Sequence, residues 1–500
     1  MHSSSYIFDS INVNNLQQTS YPRDNLQTKI VHIGFGAFHR AHQAVYTDLA
    51  NNEEGEPWGI YGINLFRKGT LSDDFAAQDN LATLIEKDSV SSTKRLVRSF
   101  TGAMNIHDKG TQFALDKLCE PQVAIVSLTV TEKGYCLTPE GRLNRKNTLI
   151  QQDLDSPHTP VSAIGIIVEA LRLRKEKSLS AFSVMSCDNI PENGHKTQIA
   201  VLDYAKSIDA KLAEWIESNV TFPSTMVDRI VPAMDDSTFQ HLEEEIGVQD
   251  CFGLISETFK QWVIEDQFCN GRPNWHLSGA MLVEDVLPYE EMKLRMLNGS
   301  HSFLAYVGSL CGYKYVYQCM EDPLLKELTA QLMIEEQALS LSDELDVDLQ
   351  RYAQSLLARF SNQNIKHQTT QIAMDGSQKL PPRVIESILA LLQKGAFDEK
   401  NPPSILLFLL AAWMHCIQGK HTADYQLIDP EAETLISLLD SSALGSHPCD
   451  ALLQFKAVFN DNLLAHPSLI KRIKYFYNVI EQQGIQAALT ELSALLRTQE

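Results

Sequence analysis

A short apolar stretch that runs into a glycine turn constrains the fold of this chain more than any other feature. Residues 29–33 are mostly β-branched, and glycines follow at Gly34 and Gly36. A helix rich in alanine and glutamine is predicted after the turn. This order of strand, turn and helix opens the βαβ unit of dinucleotide-binding domains, where the helix N-terminus binds the pyrophosphate. Because His39 replaces the usual third glycine, a turn that merely joins strand to helix is the alternative.

The expected cofactor contacts lie at this turn and at the end of the next predicted strand. The turn and the start of its helix supply five candidates, which are Gly34, Phe35, Gly36, Ala37 and Phe38. The second strand is predicted over residues 58–66, where an acidic residue usually binds the ribose 2′-hydroxyl of NAD. This chain has Asn64 there, followed by Arg67 and Lys68. NAD is the expected cofactor, and the local chemistry leaves NADP open.

Further polar candidates follow two later strands. Residues 122–130 are predicted to form a buried strand, with Thr129 and Glu132 at its carboxyl end. Another strand is predicted over 181–187, and Asn189 comes just after it. Ligands of open α/β sheets gather at such ends, so Asn189 can donate to a reacting oxygen, with a turn-forming asparagine as the alternative. The other elements predicted in this part are a helix over 163–175 and strands over 226–232 and 252–257.

The pattern changes from strand-like to helical at about residue 285. Apolar residues then recur at three- and four-residue spacing, over 324–341, 346–360, 383–392, 404–417 and 485–496. The longest apolar run, 405–417, is too short to cross a bilayer and is expected to be a buried helix. We therefore predict an α/β Rossmann-type dinucleotide-binding domain over 1–284 and a mostly α-helical substrate and catalytic domain over 285–500.

One helical stretch, residues 289–301, carries a possible catalytic face. Lys293, Asn298 and His301 are spaced five and three residues apart. On an α-helix they fall near 0°, about 140° and about 80°, so all three can face one cleft. A lysine, an amide and an imidazole suit proton transfer, although a solvated lysine beside a core asparagine and histidine gives the same spacing. Tyr289 and Lys293 also match the Tyr-x-x-x-Lys pair of short-chain dehydrogenases, but in those smaller enzymes the pair lies within the nucleotide domain.

Composition and charge exclude several classes of protein. The formal net charge of −21 disfavours non-specific binding to nucleic acid or to an anionic membrane. The first residues lack the basic and apolar regions of a secretory signal, so a cytoplasmic location is expected. The nine cysteines are scattered without a CxxC pair, which indicates reduced thiols and no clustered zinc ligands.

Several motifs occur together in an order typical of one enzyme family. They are residues 34–43, 129–135 and 186–189, and the Lys-x4-Asn-x2-His spacing that starts at residue 293. With them the chain resembles the mannitol dehydrogenase family of polyol-specific long-chain dehydrogenases. The stretches 221–232, 261–266 and 371–381 are most similar to its fructuronate reductase (D-mannonate oxidoreductase) branch. The resemblance covers roughly residues 28 to 420.

The resemblance implies a metal-independent oxidoreductase that interconverts D-mannonate and D-fructuronate with NAD, in hexuronate catabolism. It implies that Lys293 is the general acid and base, and that Asn189 and Asn298 hold the reacting oxygen. The other implied roles are a ligand of a substrate hydroxyl for His301, a cofactor- or substrate-side positioning residue for Asp228, and a proton relay for Glu290.

One departure from the family motif favours a sugar acid. Gln371 stands where mannitol-oxidising members carry an arginine, while Lys379 is retained and Arg383 follows it. We expect Lys379, with Arg383, to offset the carboxylate of a hexuronate, since an uncompensated buried carboxylate is costly. A solvated Arg383 at a helix start is the alternative. The expected partner is a small sugar acid and the expected state a monomer or small homo-oligomer. Another sugar acid or polyol, such as altronate or mannitol, and a nucleotide-binding protein without turnover are the alternative functions.

Overall fold

The computed structural model of the protein describes residues 16–53, 55–398, 400–419, 427–442 and 447–498. The chain forms two compact units that divide between Leu287 and Pro288, here called unit 1 and unit 2. The residues before 16, on which the expected absence of a secretory signal largely depends, lie outside the described ranges. The assignment of cofactor binding to residues 1–284 and of catalysis to 285–500 stays a prediction.

Unit 1 contains the named strands of the described chain, in three sheets. They are β1 (Gln27–Ile33), β2 (Trp58–Asn64), β3 (Ala82–Lys87), β4 (Ser92–Val97), β5 (Phe100–Asn105), β6 (Ile125–Leu128), β7 (Ser183–Ser186), β8 (Thr225–Asp228), β9 (Leu254–Glu257), β10 (Gln261–Glu265) and β11 (Met281–Val283). The largest sheet has the order β5-β2-β1-β6-β7, and every neighbouring pair in it is parallel. The strand order reverses between β1 and β6, as in dinucleotide-binding folds, so the predicted Rossmann-type fold is confirmed.

Burial on both faces makes most strands of this sheet recognisable in the sequence. Ile30, Val31 and Ile33 have no exposed surface, and every residue of β6 and β7 is buried. Helices cover both faces of a parallel sheet, so its strands read as nearly continuous apolar runs. The edge strand β5 was not predicted, because its sequence Phe-Thr-Gly-Ala-Met-Asn lacks such a run.

Two three-stranded sheets hold the other strands, in the orders β4-β3-β9 and β8-β10-β11. The strands predicted over 226–232 and 252–257 are present as β8 and β9, but they pair in these small sheets. The sequence pattern does not predict β3, β4, β10 or β11. β4 is polar and half exposed, and β11 is three residues long, so neither has a clear apolar period.

The helices of unit 1 connect these strands. They are α1 (Ala37–Ala41), α2 (Gln43–Glu53), α3 (Leu71–Ala77), α4 (Ile106–Lys109), α5 (Thr111–Leu118), α6 (Thr131–Gly134), α7 (Thr148–Asp155), α8 (Ala163–Glu176), α9 (Asn193–Ile208), α10 (Ala210–Asn219) and α11 (Asp236–Ile246). Short 3-10 helices span Arg23–Asn25 and Trp275–Ser278. The helix predicted over 163–175 is α8. The helix expected after the glycine turn is broken at His42, whose φ and ψ of −123° and −89° are not helical.

Unit 2 is mostly α-helical, as predicted. Its helices, with α12 starting at the boundary, are α12 (Leu287–Met292), α13 (Gly299–Leu310), α14 (Val316–Glu321), α15 (Pro323–Gln331), α16 (Leu349–Phe360), α17 (Thr369–Ile372), α18 (Gly376–Leu380), α19 (Glu386–Gln393), α20 (Ser404–Gln418), α21 (Ala432–Ser442), α22 (Pro448–Leu452), α23 (Asp461–Leu464), α24 (Pro467–Gln483) and α25 (Ile485–Arg497). π-Helical segments span Lys293–Asn298, Leu332–Gln337 and Pro381–Ile385, and a 3-10 turn spans Ala338–Ser340.

Helix α20 forms the centre of unit 2. Every residue from Ser404 to Ile417 is buried, so the predicted buried helix is confirmed. α20 packs against α13 and α24, and the Nε2 atom of His415 lies 2.9 Å from the carbonyl oxygen of Tyr477. Within the described ranges, no helix combines the length and apolar character that a membrane span requires.

Candidate active site

Gly34 fixes the glycine turn at the carboxyl ends of three parallel strands. Its φ of +107° is left-handed, and a Cβ atom there would lie 2.1 Å from the carbonyl oxygen of Thr129. The Gly34 N–H donates to the carbonyl oxygen of Ile63 at 2.8 Å. The turn therefore lies against the ends of β2 and β6, at the edge where ligands of such sheets bind.

The residues after this glycine have different surroundings. Phe35 is buried in an aromatic cluster, with the nearest ring centroid 5.1 Å away, so its backbone is the part that can reach a cofactor. Gly36 is open, because a Cβ atom there would have its nearest non-neighbouring atom 3.6 Å away. Ala37 and Phe38 are half-buried at the start of α1, where the first N–H groups of a helix have no partner within it.

A buried pair of histidines supports the turn. The imidazoles of His32 and His39 stack with their centroids 3.5 Å apart. Nε2 of His32 lies 3.0 Å from the carbonyl oxygen of Gly34 and 2.8 Å from the hydroxyl of Thr129. Burial lowers the pKa of His32 to about 3 and the pKa of His39 well below its usual range, so a packed neutral ring occupies the third-glycine position.

A cavity of about 160 Å³ adjoins the glycine turn. Its lining includes Gly34, Asn64 at the end of β2, the next three residues up to Arg67, and Val130 after β6. The side-chain amide of Asn64 donates to Oδ1 of Asn105 at 3.2 Å. None of the described residues that line the cavity is acidic, so the carboxylate that usually selects NAD is absent from this wall. The cavity has the position expected for part of a dinucleotide.

The candidates at the ends of β6, β7 and β8 differ in burial. Thr129 is half-buried, and its hydroxyl donates to the carbonyl oxygen of Gly34 at 2.7 Å. Glu132 in α6 and Asn189 after β7 are exposed. Asp228 is 5% exposed at the end of β8, which places it in a small sheet and outside the parallel sheet.

The lysine, asparagine and histidine of unit 2 lie on one continuous helix whose winding changes between them. α12 leads into the π-helix Lys293–Asn298, and α13 continues from Gly299. The α-helical angles predicted for this stretch are therefore wrong in their first step. In a π-helix the hydrogen bond joins residues i and i+5, so Lys293 and Asn298 are about one turn apart. The angle between their side chains around the helix axis is therefore smaller than the value of about 140° expected for an α-helix. Lys293 and His301 are each 8% exposed.

The His301 ring lies among aromatic and cationic groups. Its centroid is 4.4 Å from the ring of Phe360 and 5.1 Å from the ring of His367. Burial lowers its pKa well below the ordinary value, and the nearby His367, Arg359 and Arg383 lower that pKa further. The imidazole is therefore neutral at pH 7 and can accept a hydrogen bond from a hydroxyl group.

Two cations predicted to bind a carboxylate follow α17. Nη1 of Arg383 donates to the carbonyl oxygen of Asn298 at 3.4 Å and to the hydroxyl of Ser302 at 3.2 Å. Burial lowers the pKa of Arg383 to about 10, so the guanidinium stays charged at neutral pH. Arg383 is half-buried in the π-helix Pro381–Ile385. Nζ of Lys379 lies 3.6 Å from Oδ2 of Asp375.

The structure connects Arg383 with Lys379 and with the helix that carries Lys293, whereas it gives no such connection for Gln371. Arg383 bonds directly to the helix that carries the lysine, asparagine and histidine. Burial lowers the pKa of Lys379, and the charge of Arg383 lowers it further, which shows that the two cations are close. Gln371 is exposed on α17.

The residues that the structure describes contain no group of three or more His, Cys, Asp and Glu side chains that could hold a metal ion.

Comparison with known families decides the membership of the chain. The model of the mannitol dehydrogenase Rossmann domain matches residues 28–277, and the model of the mannitol dehydrogenase C-terminal domain matches residues 285–481. The chain belongs to the mannitol dehydrogenase family. The resemblance predicted from the motifs is confirmed, and the protein is an oxidoreductase of this family.

Mannitol dehydrogenase relatives match this chain over nearly its whole length. The uncharacterized oxidoreductase YdfI of Escherichia coli (strain K12) is 46% identical over 95% of this chain and 97% of its own. D-mannonate oxidoreductase of the same strain is 43% identical over 95% of this chain and 97% of its own. The structure of Pseudomonas fluorescens mannitol 2-dehydrogenase, a ternary complex with NAD and D-mannitol, is 36% identical with a TM-score of 0.79, and covers 96% of this chain and 97% of its own.

Some residues that contact the candidate site residues were not predicted from the sequence. His32 sits inside an apolar strand, and the pattern gives no sign that its ring reaches the glycine turn. His367 lies in an irregular segment and Arg359 near the end of amphipathic α16, so neither has a local signal. Asp188 did have a local signal in the sequence, because it lies inside the Ser-Cys-Asp-Asn motif beside Asn189.

Proposed function

We propose that this protein is an NAD-dependent fructuronate reductase. In the oxidising direction D-mannonate gives a hydride to NAD⁺ and a proton to the protein, which yields D-fructuronate and NADH. The observation that carries the proposal is the cationic surrounding of the helix in unit 2, where Arg383 bonds to the backbone of Asn298. The similarity to D-mannonate oxidoreductase, at 43% identity, supports it.

The substrate carboxylate is assigned to Lys379 and Arg383. Both side chains are partly withdrawn from water, and a cation in such surroundings pairs with a carboxylate more strongly than a surface cation does. The chain as a whole carries a net charge of −21, so this local group of cations opposes the overall sign. A neutral polyol would leave the two cations without a partner in the substrate.

The proton is assigned to Lys293. Its ammonium group supplies the proton that an alkoxide needs in the reducing direction, and its neutral amine takes that proton in the oxidising direction. Asn298 and Asn189 are assigned as amide donors to the oxygen that changes between carbonyl and alkoxide. The neutral ring of His301 accepts a hydrogen bond from a substrate hydroxyl, and Glu290 on α12 relays protons to water.

The residues around the glycine turn fit a nicotinamide dinucleotide. Gly36 leaves open space beside the backbone, the start of α1 presents N–H groups, and a cavity adjoins both. The dinucleotide, when bound, supplies or accepts the hydride. The residues proposed to hold it are Gly34, Phe35, Gly36, Ala37, Phe38, Asn64, Thr129, Glu132 and Asp228. NAD is proposed because the mannitol 2-dehydrogenase structure contains NAD, and NADP stays a candidate because the described cavity wall lacks an acidic residue.

A polyol oxidoreductase is the second candidate function. The 36% identity to a mannitol 2-dehydrogenase whose structure contains D-mannitol favours it. The two candidates differ in whether the substrate has a carboxylate, so a direct comparison of substrates separates them.

The test is the rate of NADH oxidation at pH 7 with D-fructuronate, D-tagaturonate and D-fructose at equal concentrations. We expect the highest kcat/KM with D-fructuronate. A preference for D-tagaturonate would assign a different sugar acid, and a preference for D-fructose would assign a polyol dehydrogenase. NADH binding without oxidation on any of the three would indicate a nucleotide-binding protein without turnover.

A further inference from the structure

A closed ring of hydrogen bonds lies beneath the ends of β6 and β7. The backbone N–H of Asp188 donates to Oγ of Ser186 at 3.3 Å, and this Oγ lies 2.5 Å from the hydroxyl of Tyr135. The Tyr135 hydroxyl donates to Oδ2 of Asp188 at 2.7 Å. Because Tyr135 gives its proton to the carboxylate, Ser186 donates to Tyr135 and closes the ring. Tyr135 and Ser186 have no exposed surface, so the bond between their hydroxyls is shielded from water, whereas Asp188 is half-buried.

The same carboxylate fixes the loop that follows β6. Oδ2 of Asp188 accepts the N–H of Val130 at 2.9 Å, and Oδ1 accepts the N–H of Thr131 at 3.0 Å. Thr131 has a φ of +65°, a left-handed conformation that β-branched residues rarely adopt. The bond from its N–H to Asp188 therefore holds the loop in a shape that the local sequence disfavours.

This loop forms one wall of the cavity beside the glycine turn. Val130 and Gly134 line the cavity together with Gly34. Thr129, just before them, packs so closely on Gly34 that no side chain fits between the two. Asp188 is not a lining residue, so it acts on the cavity through the backbone of the loop.

The backbone of Asp188 is held on its other side as well. Its carbonyl oxygen accepts a hydrogen bond from Nδ2 of Asn193 at 3.0 Å and from the N–H of Ile190 at 2.9 Å. Oδ1 of Asn193 in turn accepts the N–H of Thr225, the first residue of β8, at 2.9 Å. The peptide units on both sides of Asn189 are thereby fixed, although its side chain is exposed.

We propose that Asp188 is a positioning residue that holds the cavity wall after β6 and the backbone of Asn189 in one fixed arrangement. It connects the part of unit 1 that faces the dinucleotide with the amide that acts on the reacting oxygen. The role toward Asn189 rests on the proposed function, whereas the role toward the cavity wall rests on the contacts alone.

The substitution Asp188→Asn tests this role at nearly constant side-chain size. Three donors, from Val130, Thr131 and Tyr135, face the two carboxylate oxygens, but an asparagine offers one oxygen and one NH₂ group. With its oxygen toward two donors, its NH₂ group faces the third donor and repels it. We expect the dissociation constant for NADH, measured by NADH fluorescence without a sugar, to rise about tenfold. We expect kcat with D-fructuronate to fall about tenfold at saturating NADH.

Asp48 on α2 offers a matched control, because its hydrogen bonds lie at the amino ends of the strands of the same sheet, opposite to the ends near Asp188. Its buried carboxylate accepts the hydroxyl of Tyr21 at 2.8 Å, the hydroxyl of Thr19 at 3.2 Å and the N–H of Arg98 at 3.0 Å. Arg98 precedes β5, so these bonds lie at the amino ends of the strands. We expect Asp48→Asn to lower the melting temperature as Asp188→Asn does, but to leave the NADH dissociation constant within about twofold.

Equal NADH affinity in Asp188→Asn and the wild type, or equal losses in the two variants, would show that Asp188 only stabilises the fold. If Asp188→Asn does not fold, the pair Tyr135→Phe and Tyr21→Phe makes the same comparison, with weaker NADH binding expected for the first variant alone. A tenfold loss of NADH affinity confined to Asp188→Asn supports the cavity-wall role even if the wild type reduces no sugar acid. The absence of sugar-acid reduction by the wild type would overturn the proposed function and leave the role of Asp188 at the cavity wall intact.

Discussion

Two glycines of the turn are required for different physical reasons. At Gly34 a Cβ atom would meet the Thr129 carbonyl oxygen at 2.1 Å, and the φ of +107° is itself unfavourable for other residues. At Gly36 the φ is −93°, and a Cβ atom would have no close neighbour. Gly34 is therefore needed for folding, whereas Gly36 is needed only if a ligand approaches its backbone.

Alanine at each position separates folding from binding. We expect Gly34→Ala to lose about 3 kcal/mol or more of unfolding free energy, because the chain must move away from Thr129. We expect Gly36→Ala to melt at or slightly above the wild-type temperature, but to bind NADH about tenfold more weakly because its methyl group occupies cofactor space. Thermal melts and NADH fluorescence titrations measure both effects. Normal NADH binding by Gly36→Ala would place the cofactor away from this turn.

The cations of unit 2 allow a test of substrate charge. We expect Lys379→Met to lower kcat/KM for D-fructuronate about 10- to 100-fold, since a charge-assisted hydrogen bond to the carboxylate is lost. The same variant should change kcat/KM for D-fructose only a few-fold. Lys379 is a better probe than Arg383, because Arg383 also holds the backbone of Asn298. Equal losses on both sugars would contradict the carboxylate assignment.

Prediction at the residue scale was most specific where local spacing and a family motif coincide. Lys293, Asn298 and His301 were selected from their spacing together with the family motif, and the structure places them on one continuous helix, while their catalytic roles stay predictions. His367 and Arg359 were missed, because they meet His301 only through the tertiary fold, from segments with no pattern of their own. A contact between distant segments leaves no mark in a single sequence unless a motif preserves it.

At the scale of elements, three π-helical segments pack together in unit 2. The segment Lys293–Asn298 contacts both Leu332–Gln337 and Pro381–Ile385. A Cβ atom on Gly299 would lie 2.6 Å from Nε2 of Gln337 and 3.2 Å from the carbonyl oxygen of Arg383. Apolar spacing predicted helices over 324–341 and 383–392, but it did not predict the wider turns. Their positions depend on packing between segments that are far apart in sequence.

The second π-helical segment caps the buried helix α20 and gives unit 2 a pH dependence. The Glu336 carboxylate accepts the N–H groups of Ile405 and Leu406, each at 2.8 Å, and is 2% exposed. Burial raises the pKa of Glu336 from 4.5 to about 8. The folded state therefore binds this proton more tightly than the unfolded state does. Its stabilising effect is complete below about pH 4.5 and is lost as the pH rises through about 8.

We expect the difference in unfolding free energy between the wild type and Glu336→Gln to shrink between pH 5 and pH 8, because glutamine has no proton to lose. Denaturant melts of both proteins at several pH values measure this difference, and the subtraction removes the titration of other groups. A difference that stayed constant over this pH range, or a wild-type advantage that grew with pH, would show that the carboxylate is already ionised in the folded state.

Strands with a continuous apolar run were predicted best, and polar or very short strands worst. β1, β2, β6 and β7 are buried on both faces, so they appear as apolar runs. The polar strand β4 and the short β11 have no such run. The break at His42 was also hidden, because its flanking residues favour a helix on both sides.

At the scale of the whole molecule, two compact units carry different parts of the proposed chemistry. The glycine turn, its cavity and Asp188 belong to unit 1, and the lysine helix with its cations belongs to unit 2. The two fold classes were predictable, because the change from strand patterns to helical spacing is long and clear. The family was predictable as well, since several motifs occur in the right order.

This division predicts opposite effects of substitutions in the two units. We expect Lys293→Ala to bind NADH within about twofold of the wild type, since the dinucleotide is assigned to unit 1. Gly36→Ala should show the reverse pattern, with weak NADH binding and a kcat close to wild type at saturating cofactor. NADH fluorescence and steady-state kinetics measure both. Loss of NADH affinity in Lys293→Ala would contradict the assignment of the cofactor to unit 1 alone.

The most direct test of the central claim is the rate of D-fructuronate-dependent NADH oxidation at pH 7 in the wild type and in Lys293→Ala. We predict measurable turnover in the wild type and a loss of about 10²- to 10⁴-fold in kcat for the variant, with its NADH binding retained. That result would assign both the sugar acid and the proton carrier. Wild-type turnover that survives in Lys293→Ala would contradict the catalytic role of the lysine, and no turnover of D-fructuronate by the wild type would contradict the proposed function.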